Sequence, residues 1–237
     1  MKVLIDADIL VYRTGYASEN DAEKFAIWRL ENTIKTILRD CNTQDYELFL
    51  SDSNDNNFRT KLFPLYKKNR IQPKPRHYTA LSNRITDYPS ITVAQGMEAD
   101  DAIGIEANRL GDDAIIASID KDLLQLSGRH YNWVNGVWRT IREPEGRYRF
   151  YKQLLTGDVV DNITAKVGLS CPGVGEAKAA AYLEGCESEE DYKKSTWEVY
   201  KKYCVDHDDV ELLHRINITG KLVKILTRED EDWSYNG

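Results

Sequence analysis

The sequence predicts an α/β fold, a mostly parallel central sheet flanked by helices with a C-terminal helical region. Three observations predict it. Short apolar runs alternate with helix-period stretches through the first part of the chain. The run Ile115-Ile116-Ala117-Ser118-Ile119 is nearly unbroken, as a central parallel strand covered on both faces requires. Beyond Thr156-Gly157 no strand pattern recurs, so helices complete the chain.

Each element has its own signal. Val3-Leu4-Ile5 reads as a buried first strand ending at Asp6. Ser18 to Arg39 reads as one amphipathic helix, with Ser18 as N-cap and Phe25, Trp28, Ile34 and Leu38 on its apolar face. Tyr46 to Leu50 is a second strand before Asp52. Pro64, Pro73 and Pro75 exclude a continuous helix in the stretch that follows. Ile91-Thr92-Val93 is a short strand. Glu98 to Leu110 is a helix whose first turn sets acids against the positive end of its dipole. Ala114 to Ile119 is the strongest strand, and Asn135-Gly136 centres a hairpin from Tyr131 to Ile141. Pro144 opens a helix closing at Thr156-Gly157, and the remainder, Cys171 to Gly175 excepted, reads as helical to Leu226. The expected division is a core over 1–156, containing a basic segment over 56–86, and a helical region over 157–237.

Composition narrows the class. Charged residues make up 30% of the chain, and no apolar run approaches the ~18 residues of a membrane span. The chain opens directly on a strand, so no signal peptide is expected. Four cysteines without CxxC spacing and only four histidines argue against structural zinc and fit a reduced, cytoplasmic compartment.

The acids are the chemical signal. Asp6 and Asp8, Asp52, Glu98-Ala99-Asp100-Asp101, Asp120-Lys121-Asp122 and Asp158-Val159-Val160-Asp161 form five clusters, most of them at the end of an apolar run. Ligands of open α/β sheets bind at the carboxyl ends of the strands. Carboxylates gathered there need a compensating cation. Hard oxygen ligands select Mg²⁺, with Mn²⁺ as a substitute. Taken singly, any of these acids is as well explained as a helix cap or loop residue, Asp8 and Asp101 above all.

The net charge of −7 hides an opposite segment. From Asn56 to Arg84 there are eight cations (Arg59, Lys61, Lys67, Lys68, Arg70, Lys74, Arg76 and Arg84) and no acid. A solvated helix face usually mixes both signs, so this run favours phosphate contact.

Together the motifs resemble the 5′–3′ exonuclease and flap endonuclease family. The resemblance is carried by Asp6, the Glu98–Asp101 run, Asp120-Lys121-Asp122, the Thr156–Ile163 segment and the stretch from Phe58 to Arg70. It covers residues 1 to about 185, and the short chain is most similar to the stand-alone phage enzymes. The resemblance implies a PIN-like core and two or more Mg²⁺ ions. Asp6, Asp52, Glu98 and Asp100 would hold the first, Asp120, Asp122 and Asp158 the second, and Asp101 and Asp161 would act through water or a weaker third. The family's reaction is phosphodiester hydrolysis leaving a 5′-phosphate.

The basic segment would be the arch that admits a 5′ end, with Lys67 and Arg70 as catalytic cations on the scissile phosphate. Tyr66 would stack on an unpaired base, and Arg59, Lys61, Lys68, Lys74 and Arg76 would contact the DNA backbone. Pro73 and Pro75 make this arch shorter than the family norm. Pro172-Gly173-Val174-Gly175, followed by Lys178, resembles the hairpin of a helix-hairpin-helix. The resemblance implies that Gly173, Gly175 and Lys178 grip duplex phosphates with K⁺ bound. Thr164 to Cys171 is an insertion relative to that pattern.

The implied protein is a monomeric 5′–3′ exodeoxyribonuclease with 5′-flap endonuclease activity in DNA replication, recombination or degradation. Its partner is DNA with a 5′ end or flap, with RNA–DNA hybrid as a further substrate, and it makes no membrane contact. If phage-encoded, it works in the host cytoplasm. A PIN-type ribonuclease and a catalytically inactive DNA-binding relative are the competing readings.

Overall fold

The computed structural model describes residues 1–52 and 56–236. Its internal contacts divide it into two compact units. The first comprises Met1–Asn57, Gln72–Ile141 and Leu226–Glu229, the second Phe58–Ile71, Arg142–Ile225 and Asp230–Gly237.

The first unit is built on β1 (Lys2–Asp6), β2 (Tyr46–Ser51), β3 (Ile91–Ala94), β4 (Ala114–Ala117), β5 (Gly128–Asn132) and β6 (Val137–Ile141). They form one sheet in the order β3-β2-β1-β4-β5-β6. The first five pair in parallel, and β6 closes the predicted hairpin antiparallel to β5. Three helices, α1 (Ala7–Ala17), α2 (Glu23–Asp40) and α4 (Tyr78–Thr86), pack on one face. There Leu10, Val11, Leu30, Leu81 and Ile85 cluster with Val3 and Ile5. Leu4 points the opposite way by strand alternation, to the face met by α5 (Ala99–Leu110).

Two expectations fail near the start. The single helix from Ser18 is in fact two helices, and the first begins immediately after β1. Its apolar residues run contiguously as Ile9-Leu10-Val11-Tyr12, which leaves no periodic stripe to read. Asp6 caps it, accepting the Ile9 N–H at 3.1 Å, whereas the Ser18 N–H returns to Gly15 O and closes the helix. Ser18 is thus a terminator, and α2 starts after Ala22. The buried face of α2 is Ala26, Leu30, Ile34, Ile37 and Leu38; Phe25 and Trp28 are 53% and 61% exposed.

The second unit is helical: α3 (Phe58–Leu62), α6 (Glu143–Thr156), α7 (Glu176–Leu183), α8 (Glu189–Tyr203) and α9 (Asp209–Val223). The expected boundary after residue 156 is displaced, because Phe150, Tyr151, Leu154 and Leu155 of α6 belong to the cluster formed with α7, α8 and α9. Residues 157–170 are not helical. Asp158 and Ile163 exchange backbone hydrogen bonds of 2.8 and 2.7 Å across a tight loop, and a short 3₁₀ turn follows at Ala165–Val167. The buried Arg215 of α9 ties down the end of the inserted stretch, donating to Leu169 O and Ser170 O at 2.6 Å each.

Candidate metal and phosphate sites

In the first unit the chain leaves each of four adjacent parallel strands close to an acid. Asp6 ends β1, Asp52 follows β2, Glu98 precedes α5 beyond β3, and Asp120 and Asp122 follow β4. Asp6 is 1% exposed. Burial first, then the charge of Asp8, with a smaller part from Asp120, pushes its carboxyl up to about 7, against the Ile9 N–H and Ser118 hydroxyl bonds that favour the anion.

Two serines that the sequence reading passed over organise the acids. Ser118 donates to Asp6 Oδ2 at 2.7 Å and accepts the Asp120 N–H at 3.0 Å, and Asp120 Oδ1 accepts the Asp122 N–H at 2.8 Å. Ser51 donates to Asp8 Oδ2 and accepts the Ala99 N–H at 2.9 Å at the start of α5. Their only sequence signal is their place, at or just past a strand end and one or two residues before an acid.

Among the described residues no three ligating side chains close on a single point. The donor set nevertheless fits a hard divalent cation. It is all oxygen, and its innermost member is a buried carboxylate facing like charge, which a bound cation would relieve. Asp101 is different. It is fully buried, its Oδ2 accepts the Glu98 N–H and its Oδ1 the Leu226 N–H, both at 3.1 Å. Both oxygens work as a helix cap and a chain anchor, which corrects its reading as a ligand of a weak third metal.

In the second unit Asp158 and Asp161 also serve local roles. Asp158 Oδ1 accepts the N–H groups of Val160 and Asp161 at 2.7 and 3.2 Å, which fixes the turn. Asp161 is a counter-ion: it accepts from Tyr66 Oη at 3.0 Å, pairs with Lys67 Nζ at 3.7 Å and pairs with Arg70. The backbones are laced as well, Lys67 N–H to Asp161 O at 2.9 Å and Asn162 Nδ2 to Leu65 O at 2.9 Å. Lys67 and Arg70 are therefore brought together, as expected, but around an acid read from sequence as a metal ligand.

The basic segment is not one arch. Its first half folds into the second unit, and its second half lies on α1 of the first. Tyr16 Oη donates to Pro73 O at 2.9 Å, and Pro75 sits so close to Gly15 that a Cβ there would lie 2.6 Å from Pro75 Cγ. The Arg76 N–H donates to Glu19 at 3.1 Å, and Lys74 Nζ lies 3.9 Å from the Tyr78 ring centroid. Arg59 is 3% exposed and donates to Leu222 O at 2.9 Å and Lys224 O at 2.6 Å, so it is a buttress and not a phosphate contact. Tyr66 is 4% exposed, its hydroxyl bonded to Asp161, so its ring is closed to a stacking base. Lys61 and Lys68 remain exposed.

The hairpin between α6 and α7 is present. Gly173 adopts φ +67°, Gly175 caps α7, and a Cβ at either would meet nothing within 4 Å, so the backbone is open on that side. Lys178 Nζ donates to Gly173 O at 2.9 Å. It braces the hairpin while the side chain itself stays exposed.

A mostly parallel sheet flanked by helices, with acids along its carboxyl edge, is a PIN-like α/β core, and a helical region follows it in sequence. The 5′-3′ exonuclease N-terminal resolvase-like domain model matches residues 1–153, and the chain belongs to that family. A 5′-3′ exonuclease of Buchnera aphidicola (subspecies Schizaphis graminum) is 28% identical over 190 residues, 70% of this chain and 66% of the relative. A second, from the Acyrthosiphon pisum subspecies, is 30% identical over 148 residues, 55% of this chain and half of its own length. Among solved structures, the T5 5′-exonuclease with bound divalent zinc has a TM-score of 0.62 at 16% identity, covering 94% of this chain and all of that one. The bacteriophage T5 flap endonuclease in a pseudo-enzyme-product complex with DNA and metal ions has a TM-score of 0.59 at 17% identity, covering 94% and 97%.

Proposed function

We propose that the chain is a divalent-metal-dependent 5′–3′ exodeoxyribonuclease with 5′-flap endonuclease activity. The observation that carries this reading is the row of acids at the carboxyl ends of four adjacent parallel strands, in a chain of the 5′–3′ exonuclease family. Asp6, Asp52, Glu98, Asp100, Asp120 and Asp122 would hold Mg²⁺, two or more ions per site, with Mn²⁺ as a substitute. Bound there, the ions supply the Lewis acidity that activates water and offsets charge at the cleaved phosphate.

The chain's own residues do the positioning. Ser118 holds Asp6 and the Asp120 backbone in register, and Ser51 ties Asp8 to the start of α5. Lys67 and Arg70 both pair with Asp161, which holds the two cations together where they would meet a phosphate. Gly173 and Gly175 leave the backbone open on the side a Cβ would occupy, where a duplex phosphate would approach the amino end of α7. K⁺ at the helix-hairpin-helix is part of the same reading, and Lys178 braces the turn there at Gly173 O. DNA bearing a 5′ end or flap is the proposed substrate, RNA–DNA hybrid a further one, and the working form a monomer in the cytoplasm.

The test is a time course on 5′-overhang, blunt and 5′-flap DNA with labels at either end, in Mg²⁺ or EDTA. We expect release from 5′ ends in Mg²⁺ alone, and its loss in Asp120→Asn/Asp122→Asn with duplex binding retained. Full activity of that double variant refutes the metal assignment. Binding without cleavage in either metal supports the inactive relative, and cleavage of RNA alone supports the ribonuclease.

A further inference from the structure

The four cysteines are free thiols, and their surroundings differ. Cys41 lies in the core of the first unit, where burial and then the charge of Asp40 push its thiol up to about 11. Cys186 is partly exposed, and desolvation followed by Asp191 raises it as well. Cys171 and Cys204 are of another kind. They are 3% and 4% exposed in the core of the helical unit, and their side chains are hydrogen-bonded to each other.

Three helices hold this pair. Cys171 opens the hairpin: its N–H donates to Leu155 O of α6 at 3.1 Å, and its carbonyl accepts the Val174 N–H at 3.4 Å. Cys204 ends α8, its N–H donating to Tyr200 O at 2.9 Å. The buried Arg215 of α9 acts electrostatically on both sulfurs while it holds Leu169 O and Ser170 O, the two carbonyls before Cys171. The bond from Cys171 first, against the cost of burial, and then the charges of Arg215 and His207 bring Cys204 down to about 7. Burial, and then the same bond, drive Cys171 up. One sulfur is thus prepared to be a thiolate, with a protonated thiol in contact as its resolving partner.

We propose that Cys171 and Cys204 are a peroxide-responsive dithiol, whose oxidation to a disulfide ties the base of the hairpin to the end of α8. The Cys204 thiolate attacks one oxygen of hydrogen peroxide. A sulfur–oxygen bond forms, the O–O bond breaks, and hydroxide leaves as water with the proton Cys204 had released. Cys171 then gives up its proton and attacks the Cys204 sulfur. The S–S bond forms, the S–O bond breaks, and the departing hydroxide takes that proton as water. Two thiols have lost two electrons and one peroxide has gained them. Closure to the ~2 Å of an S–S bond draws the first residue of the hairpin to α8 and shortens the unfolded chain's reach, so the helical unit gains stability. The chemistry is independent of the nuclease reading.

The experiment treats the full chain with hydrogen peroxide, blocks remaining thiols with N-ethylmaleimide under denaturing conditions, and maps tryptic peptides by mass spectrometry without reductant. The expected product is a monomer with one disulfide, Cys171 to Cys204, reopened by dithiothreitol. Its Tm should rise by about 5–10 °C, with slower amide hydrogen exchange over residues 173–178. Cys186→Ser should oxidise as the parent does, and Cys204→Ala, its fold checked by circular dichroism, should form no disulfide. If Cys204→Ala does not fold, the parent's peptide map decides by itself. Oxidation confined to the more exposed Cys186, a disulfide between two chains, or Cys204 sulfinic acid without a cross-link overturns the proposal. So does a Cys171–Cys204 disulfide that leaves both Tm and exchange unchanged.

Discussion

Replacing Arg59 by Met separates a buttress from a DNA contact. The guanidinium is 3% exposed, donates to two backbone carbonyls just past α9 and near its end, and lies 4.6 Å from the Phe58 ring centroid. Methionine keeps much of the stem's volume and removes both donors. A buried hydrogen bond from a charged donor contributes about 1.5–3 kcal/mol, so the two together predict a loss of about 3–5 kcal/mol. With a urea slope of roughly 2–3 kcal/mol/M, the denaturation midpoint should fall by about 1–2 M. The salt dependence of DNA affinity should keep its slope, since no phosphate contact is removed; a lost contact would flatten it by about 0.9. An unchanged midpoint together with a flatter slope would refute the buttress and restore Arg59 to the DNA interface.

Gly157 carries φ +70°, and a Cβ there would lie 2.1 Å from Ile163 O and 2.6 Å from Ser170 Oγ. Gly157→Ala should therefore cost about 3 kcal/mol or more by urea denaturation. Gly136→Ala, also at φ +70° but with nothing within 4 Å of the added Cβ, should cost only about 1 kcal/mol; equal losses would remove the steric argument. The hydrogen bond from Tyr131 Oη to Asp40 Oδ2, at 2.6 Å, is the first cause holding that carboxyl below its ordinary value, with Arg39 second. A depressed acid stabilises the fold above its unfolded pKa and loses that contribution as pH falls through the folded one. Tyr131→Phe should thus cost about 1 kcal/mol at neutral pH and progressively less below about pH 4. A penalty independent of pH would mean that packing, and not the carboxylate bond, accounts for it.

Most of the sheet was legible in the sequence because each strand announces itself locally. Val3-Leu4-Ile5, Leu48-Phe49-Leu50 and Ala114–Ala117 are apolar runs closed by an acid or serine, and Asn135-Gly136 marks the hairpin, although the loop it ends is the four-residue stretch 133–136 between the paired Asn132 and Val137. The acids Asp6, Asp52, Glu98, Asp120 and Asp122 were placed at the strand ends for the same reason, because a parallel sheet collects whatever follows its strands at one edge. Helix α1 was not legible, since its single buried face, Ala7, Leu10, Val11, Thr14 and Gly15, includes small and polar residues while Ile9 and Tyr12 lie off it, which blurs the apolar stripe.

By itself the sequence determined the strand order's raw material, the acidic strand ends and the family. Only the tertiary structure decided what each charge is for. Arg59, Tyr66 and Asp161 look in sequence like parts of a DNA-binding and metal-binding surface, and all three make polar contacts within the helical unit. Asp101 sits in the most suggestive acidic run of the chain, yet both its oxygens are taken by backbone N–H groups. Periodicity and composition report which residues are apolar or charged. Which partner a charge meets is set by contacts between segments far apart in the chain, as when Arg59 reaches carbonyls past residue 220, and no local pattern encodes that distance.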